Sequence, residues 1–449
     1  MLSDLAQNST QYNAENSKVC VIIGHDIEAI TSAVVLASLG RKVHLYADLK
    51  ILRQQLQQYG FEHHLQALWQ LYTQQQQIIS QALPESAELL LKSYEQAVAS
   101  DYSVDLYWLF LASINTVWSD EHWVMAFNHS QQQTLPIILS AIEPLGHIAK
   151  LAERLKRAWI YYVPFVFLQD GEAYSSMLTP SLWLLGEKTP DSSQHLTSLQ
   201  PLMQHAKAHH HADIATIEFA RSSIMAMLAT RVSFMNEMSR LADSLQIDIK
   251  KVSRIMGLDA RVGSSYLQAG WGFGGNTLPT ELDKLQHSAD DKSVDMPLLT
   301  AIMHINEDQK ELIFRKFWQY FDGFIDNRTV MIWGASYKSG SGRTAGSAIH
   351  PLLELLWSYN IRTIIYSDKA KTELNDRYCE QSLLTLVDNP YQQLNEAQAV
   401  FIITLSPQHR LDIAQLNQQA APIFDAQNAL TRAQIDALLG DYMGIGRSK

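Results

Sequence analysis

The sequence predicts an α/β protein in which two Rossmann-like, doubly wound domains are joined by a central helical domain with a long helix. Three observations predict this fold. An apolar run, a glycine, a helical stretch and a second apolar run follow one another near residue 20. Apolar residues then recur at helical spacing between residues 214 and 241, and a second strand–helix–strand series begins at residue 329.

The first β–α–β unit opens the N-terminal domain. Residues 19–23 (VCVII) form an apolar run typical of a buried parallel strand, and Gly24 follows them. A helical stretch leads to Leu39, Gly40 stands where a helix C-terminal glycine belongs, and residues 42–46 predict the next strand. Further apolar runs, which we expect to continue the strand series, lie at residues 106–112, 123–127, 159–163 and 182–185.

The pattern changes after Ala212 to about thirty residues of helical spacing, which predicts one long central helix. A second α/β series follows, with strands expected at 329–334, 363–367, 399–404 and 422–425 and a helix at 348–357. We therefore expect a flexible tail at 1–17, an N-terminal Rossmann-like domain at 18–208, a central helical dimerisation domain at 209–310 and a C-terminal Rossmann-like domain at 311–449.

Composition and charge exclude several function classes. The 449 residues carry 35 Lys and Arg against 46 Asp and Glu, and a net charge of −11 argues against a nucleic-acid partner. No apolar run approaches the roughly 20 residues that span a bilayer, and the N-terminus lacks the layout of a secretion signal. We expect a cytoplasmic protein without a membrane partner. We also expect no metal site, because His205 and residues 209–211 lack acidic partners and predict a polar linker.

A glycine-rich segment at residues 266–279 reads YLQAGWGFGGNTLP. It resembles the central domain of the nucleotide-sugar 6-dehydrogenases, the UDP-glucose and GDP-mannose dehydrogenase family, which carries A-G-x-G-Y/F-G-G-S-C-F-P-K-D. Segments at 228–243 (LATRVSFMNEMSRLAD), 257–263 (GLDARVG) and 332–347 (IWGASYKSGSGRTAGS) are similar to the same family in order and spacing. The resemblance implies two Rossmann domains, a homodimer through the long helix, and NAD⁺-dependent oxidation of a nucleotide sugar at C6 through a cysteine thiolate.

The dinucleotide fingerprint of that family is incomplete in this chain. A G-x-G-x-x-G loop needs glycines for the turn, for backbone approach to pyrophosphate and for helix–strand packing. Gly24 is kept, Asp26 and Ala29 replace the other two glycines, and Ala47 stands where the family has its ribose-binding acid. We expect the carboxylates of Asp26 or Glu28 to face the helix N-terminus, where pyrophosphate would otherwise lie. The sequence therefore predicts no NAD cofactor, with a repositioned NAD as the alternative.

The catalytic positions implied by the resemblance are replaced together. They are occupied by Thr277 (the family's cysteine), Glu281 (its aspartate), Arg221 (its lysine), Met225 (its asparagine), and Val166 and Asp170 (its two glutamates). A threonine hydroxyl is far less acidic than a thiol and cannot form the thioester on which the second oxidation depends. Cys20 lies in the first predicted strand and Cys379 lies outside every matched motif, so neither replaces the missing nucleophile.

The parts that bind the nucleotide sugar in the family are retained. They are the glycine-rich loop with its aromatic residues, an arginine that reaches across the dimer in the family, and two cations of the C-terminal domain: Tyr266, Gly270, Gly272, Phe273, Gly274, Gly275, Arg261, Lys338 and Arg343. An alternative is that these glycines simply hold a tight turn beside the long helix.

The sequence therefore leads to one main hypothesis and two alternatives. The chain is expected to be a catalytically inactive homologue of the nucleotide-sugar dehydrogenases, a homodimer that binds a nucleotide sugar or a partner in surface-polysaccharide metabolism. The first alternative is an active NAD-dependent nucleotide-sugar oxidoreductase with altered chemistry. The second is a purely structural protein without a nucleotide-sugar site.

Overall fold

The computed structural model describes residues 18–96, 103–406, 409 and 411–448, so the tail predicted at 1–17 lies outside the described residues. The chain forms two compact units, the first ending at Ser222 and the second beginning at Ser223. The finer division into a helical dimerisation domain at 209–310 stays a prediction. No helix among the described residues combines the length and apolar character needed to cross a membrane.

The first unit is built on an eight-stranded sheet with the strand order β3-β2-β1-β4-β5-β6-β7-β8. Its strands are β1 Lys18–Ile23, β2 Lys42–Ala47, β3 Ile78–Ala82, β4 Ser103–Phe110, β5 Ile137–Ser140, β6 Ile160–Tyr162, β7 Trp183–Glu187 and β8 His209–Asp213. Its helices are α1 Ile27–Ser38, α2 Leu49–Gln58, α3 His63–Gln74, α4 Ala87–Gln96, α5 Leu111–Ile114, α6 Asp120–His129, α7 His147–Arg154, α8 Ala173–Leu178 and α9 Gln200–His205, and α10 Ile214–Ser244 crosses into the second unit.

The predicted first β–α–β unit is confirmed. β1 pairs in parallel with both β2 and β4, and its residues from Val19 to Ile23 are fully buried. Gly40 has φ +81° just after α1, which is the left-handed conformation that ends a helix. Because the strand order reverses between β1 and β4, this sheet has its topological switch point at the end of β1.

Two sequence-based expectations are wrong in this unit. The apolar run at 123–127 lies in α6, where Trp123 and Phe127 share one buried face four residues apart. The supposed polar linker at 209–211 is part of β8, an edge strand that pairs in parallel with β7, while His205 ends α9. An exposed edge strand carries no apolar alternation, so its sequence reads like a linker.

The second unit contains a seven-stranded sheet with the order β11-β10-β9-β12-β13-β14-β15. Its strands are β9 Thr329–Trp333, β10 Arg362–Tyr366, β11 Leu384–Val387, β12 Ala399–Ile402, β13 Ile423–Asp425, β14 Tyr442–Gly444 and β15 Arg447–Ser448. Its helices are α11 Ile249–Leu258, α12 Thr277–Asp291, α13 Pro297–Tyr320, α14 Ile349–Ser358, α15 Lys371–Tyr378, α16 Ile413–Gln419 and α17 Arg432–Asp436. The four predicted strands, the helix at 348–357 and the long central helix are all confirmed.

Candidate functional site

The N-terminal end of α1 lies at the switch point of the first sheet, and a side chain of this chain already binds it. Asp26 is the N-cap residue, and its Oδ1 accepts a hydrogen bond from Ala29 N at 2.8 Å. Its Oδ2 accepts a second hydrogen bond from Ser113 Oγ at 3.0 Å, and Ser113 Oγ in turn accepts from His25 N at 3.1 Å. The predicted orientation of the Asp26 carboxylate is therefore confirmed.

A second carboxyl group stands in the first turn of the same helix. Burial and then the negative charge of Asp26 raise the pKa of Glu28 to about 8. Burial also raises the pKa of Asp26, and it lowers the pKa of His25. Glu28 therefore carries a proton at neutral pH, while the neighbouring imidazole is uncharged.

These residues do not match a dinucleotide. In the fold class, pyrophosphate binds the free N–H groups at this helix end, but here the Ala29 N–H is bound to Asp26. A pyrophosphate would also meet the Asp26 carboxylate at close range. At the end of β2, Ala47 is buried, and Asp48 caps α2 by accepting from Lys50 N and Ile51 N. At the ends of β1 and β2, these side chains therefore depart from the NAD-binding residues of the family.

Three further positions in the first unit correspond to catalytic residues of the family, and their side chains interact with other residues of this unit. Arg221 is buried, and its Nη1 donates to Ala141 O at 2.9 Å and to Tyr162 Oη at 3.3 Å. Val166 packs against the apolar core of the unit. Asp170 is only partly buried, and its charge is among those that raise the pKa of Glu28.

The glycine-rich loop belongs to the second unit, where side chains of α10 and α13 hold its backbone. Asn236 Oδ1 accepts from Gly270 N at 2.9 Å, and Gln309 Nε2 donates to Gly270 O at 2.7 Å. Asn306 binds Phe273 twice, accepting from its N–H at 2.7 Å and donating to its C=O at 3.1 Å. We call these three amides, Asn236, Asn306 and Gln309, the loop clamp.

Two glycines of the loop are required by close contacts. Gly272 has φ +102°, and a Cβ atom there would lie 2.7 Å from Asn306 Oδ1. Gly275 has φ +78°, and a Cβ atom there would lie 2.7 Å from the ring of Tyr337. Both positions need glycine for conformation and for space, so the loop conformation depends on these residue types.

The loop after β9 lies against the glycine-rich loop. Gly275 N donates to Ala345 O at 3.0 Å, so the two loops are joined through the main chain. Lys338 is exposed, with Nζ 5.6 Å from the Tyr337 ring centroid. Arg343 is mostly buried, with Nε 3.5 Å from Glu373 Oε2. The structure therefore brings together the retained glycines and the two retained cations.

The position of the family nucleophile is the first residue of α12. Thr277 is exposed, and among the described residues no side chain hydrogen bonds to its hydroxyl group. A hydroxyl without an adjacent base is a weak nucleophile. Glu281 is buried one turn later, and Met225 is buried on α10. Cys20 is buried with its thiol pKa raised to about 12, and Cys379 is exposed.

The remaining predicted ligand residues differ in exposure. Arg261 is exposed and forms a bidentate ion pair with Asp259, at 3.0 and 2.7 Å. Tyr266 is half-exposed and has φ +59°, whereas Phe273 is buried. Among the described residues, no group of three or more His, Cys, Asp or Glu side chains is arranged to hold a metal ion.

The loop clamp is a part of the site that sequence reasoning missed. Its signal was present, because Asn236, Asn306 and Gln309 are polar residues at buried positions of long amphipathic helices. Buried amide side chains need hydrogen-bond partners, and a glycine-rich loop supplies them as main-chain N–H and C=O groups that are not paired in a helix or strand. The identity of the partners could not be read from the helix pattern alone.

Comparison with known families supports the resemblance drawn from the motifs. Residues 215–308 match the sequence profile of the UDP-glucose/GDP-mannose dehydrogenase family, central domain. Residues 331–432 match the profile of the UDP binding domain of the same family. Both matches fall in the part of the chain that holds the glycine-rich loop, Lys338 and Arg343.

Similar curated proteins carry one name. A UDP-glucose 6-dehydrogenase of Pseudomonas aeruginosa is 30% identical over 290 residues, covering 63% of this chain and 64% of that protein. A UDP-glucose 6-dehydrogenase of Rickettsia bellii is 24% identical over 284 residues, covering 62% of this chain and 65% of that protein. The chain thus spans less than two thirds of the length of these relatives.

Solved structures share the whole fold. A UDP-glucose dehydrogenase from Pyrobaculum islandicum superposes with a TM-score of 0.78 at 18% identity, over 96% of this chain and 98% of that one. A UDP-D-ManNAc dehydrogenase from Pyrococcus horikoshii gives a TM-score of 0.73 at 13% identity, over 96% and 99%. At these identities the likeness concerns the fold alone. The two matched domains, residues 215–308 and 331–432, belong to the UDP-glucose/GDP-mannose dehydrogenase family.

Proposed function

We propose that the chain binds a nucleotide sugar in its second unit and does not oxidise it by the thiol reaction of its family. One observation carries the proposal: the loop that would hold the ligand is fully built, while Thr277 replaces the nucleophile. The clamp fixes Gly270 and Phe273, and the loop after β9 packs Tyr337, the neighbour of Lys338 in the chain, against Gly275. The exposed ammonium group of Lys338 can pair with a diphosphate.

The state of the first unit supports the second half of the proposal. Asp26 takes the place that pyrophosphate needs, and Glu28 adds a second carboxyl group in the same turn. The alternative, an active NAD-dependent oxidoreductase, is favoured by the name of the Pseudomonas aeruginosa relative. This alternative requires that a bound dinucleotide displaces the Asp26 carboxylate from the N–H group of Ala29.

A thermal-shift panel tests the proposal. UDP-glucose, UDP-N-acetyl sugars and GDP-mannose are each added to the purified protein, and NAD⁺ and NADP⁺ are added separately. We expect at least one nucleotide sugar to raise the melting temperature, since a ligand that binds only the folded state stabilises it. We expect no shift with NAD⁺ and no absorbance at 340 nm when sugar and NAD⁺ are combined. NADH formation by the wild type would contradict the proposal.

A pair of variants locates the site. Lys338→Ala removes the exposed cation beside the glycine-rich loop and should weaken nucleotide-sugar binding about tenfold, the value of one charge-assisted hydrogen bond. Lys292→Ala is the matched control, because Lys292 is an exposed lysine just after α12. Equal affinities of the two variants would place the ligand elsewhere.

We also propose that the chain is a homodimer through α10, acting in surface-polysaccharide metabolism. Met227, Phe234 and Leu241 are 60%, 44% and 54% exposed and recur every seven residues of α10, so they share one face. Large apolar side chains exposed in a row are typical of protein interfaces. The polysaccharide role is tested by whether deletion of the coding sequence changes the cell-surface glycan.

A further inference from the structure

A cleft in the second unit includes Gln268 and Ala269 of the glycine-rich segment, whereas its two cations lie outside the motifs of the family. It has a volume of about 230 Å³ and is lined by Ile249, Lys250, Ser253, Arg254, Gln268, Ala269 and Asn428. Sites for complete drug-sized ligands usually exceed about 300 Å³. The cleft is therefore suited to one charged group or part of a larger molecule.

Two cations line the cleft. Lys250 Nζ donates one hydrogen bond, to Asn428 O at 2.8 Å, which leaves two of its three N–H donors for a ligand. Arg254 is exposed, and no ion pair to it occurs within the part of the chain that the structure describes. Burial and the charges of Arg447 and Arg254 lower the pKa of Lys250, while the charges of Asp425 and Asp248 raise it.

The nearby carboxylates are already engaged. Asp248 forms an ion pair with Arg447 at 3.0 Å. Asp425 is buried and accepts from Tyr442 Oη at 2.9 Å and from Leu430 N at 3.2 Å. Three cations, Lys250, Arg254 and Arg447, face these two carboxylates, so a net positive charge remains for an anion.

We infer that this cleft binds a phosphate group, held by Lys250 and Arg254. The source is either free inorganic phosphate or a phosphate carried by a nucleotide. The proposal goes beyond the nucleotide-sugar function, but the two are linked, because Gln268 and Ala269 directly precede Gly270. A phosphate in the cleft therefore contacts the stretch that leads into the clamped loop.

Isothermal titration calorimetry on the full chain tests the inference. Sodium phosphate is titrated at ionic strength matched with sodium chloride, and UDP, with uridine as its uncharged counterpart, is titrated separately. We expect phosphate to bind the wild type, and Lys250→Ala and Arg254→Ala each to weaken it about tenfold. Lys251→Ala is the matched control, since Lys251 is exposed on α11 and does not line the cleft.

The outcomes separate the two proposals. Equal phosphate affinity in the wild type and in Arg254→Ala, or no phosphate binding, overturns the inference; circular dichroism confirms that each variant is folded. If UDP but not uridine loses affinity in both cleft variants, the phosphate belongs to a nucleotide. If phosphate binds and no nucleotide sugar does, the cleft stands while the proposed function fails. If a nucleotide sugar binds, but phosphate binds the Lys250→Ala and Arg254→Ala variants as well as the wild type, the proposed function stands while the cleft proposal fails.

Discussion

Asp26 shows how one residue can change the chemistry of a conserved fold. In place of a glycine it introduces a carboxylate, and the carboxylate binds Ala29 N and Ser113 Oγ. A cap of this kind stabilises a helix by about 1 kcal/mol. The same contact occupies an N–H donor that a pyrophosphate would use, so the cap that stabilises the helix also opposes the binding of a dinucleotide.

The proton on Glu28 makes stability depend on pH. An unfolded glutamate has a pKa of about 4.3, and in the folded chain the pKa is raised to about 8. Between these values the folded state holds a proton that the unfolded state releases, so stability falls as the pH rises from about 5 through 8. Relative to Glu28→Gln, we expect the wild type to lose about 3–4 kcal/mol of unfolding free energy between pH 5 and pH 8.

Urea denaturation at pH 5, 7 and 9 measures this difference. Glu121→Gln is the matched control, because Glu121 lies exposed in the first turn of α6. Its stability should run parallel to that of the wild type. If the unfolding free energy of Glu28→Gln also changes with pH as that of the wild type does, Glu28 does not retain its proton in the folded state.

Thr277→Cys tests whether the missing thiol is the sole obstacle to the family reaction. We expect this variant to form no NADH from UDP-glucose and NAD⁺, because Asp26 still closes the dinucleotide end of the first unit. Absorbance at 340 nm is the measurement, and Thr280→Cys on the same helix controls for an added thiol. NADH formed by Thr277→Cys alone would show that NAD⁺ binds despite Asp26.

At the scale of the element, the glycine-rich loop depends on the helices that hold it. Asn306→Ala removes both hydrogen bonds to Phe273 and leaves buried main-chain groups without them. We expect a loss of about 2–3 kcal/mol in unfolding free energy, together with weaker nucleotide-sugar binding. Glu307→Ala, on the same helix, removes an exposed ion pair with Lys310 and should change stability by less than about 1 kcal/mol. If Asn306→Ala and Glu307→Ala lose similar amounts of unfolding free energy, the loop clamp does not stabilise the loop.

The elements differ in how well the sequence predicts them. β1 and β9 were predictable because strands buried on both faces leave continuous apolar runs. Residues 123–127 form a similar run, yet they fold as helix because Trp123 and Phe127 can also meet on one helical face. β8 could not be found, since an edge strand of histidines has no apolar alternation.

The candidate site likewise contains contacts that the sequence predicts and contacts that it does not predict. The Asp26 contact was predictable because it is local: an acidic residue before a helix caps it. The loop clamp was not, because Asn306 and Phe273 are 33 residues apart and nothing in a helix pattern specifies a distant partner. Motif spacing did place the glycines in one loop that requires them, whereas the role of Lys338 in binding a ligand stays a prediction.

At the scale of the whole molecule, the exposed face of α10 predicts self-association. We expect light scattering to give twice the chain mass for the wild type and a single chain mass for Met227→Glu combined with Phe234→Glu, because two charges would be buried without partners in the dimer. Leu439→Glu is the matched control, as Leu439 is 72% exposed and lies outside α10. A double variant that stays dimeric would exclude this face as the interface.

The cap on α1 also bears on how the cell could control this protein. Enzymes that bind a nucleotide only when folded gain stability from it, so their folded population follows the nucleotide supply. Here the group that binds the helix end is a carboxyl side chain of the protein itself, so it is present at every ligand concentration. Because we propose that the first unit binds no nicotinamide nucleotide, we expect the abundance of the protein to stay unchanged when starvation or redox stress depletes that pool.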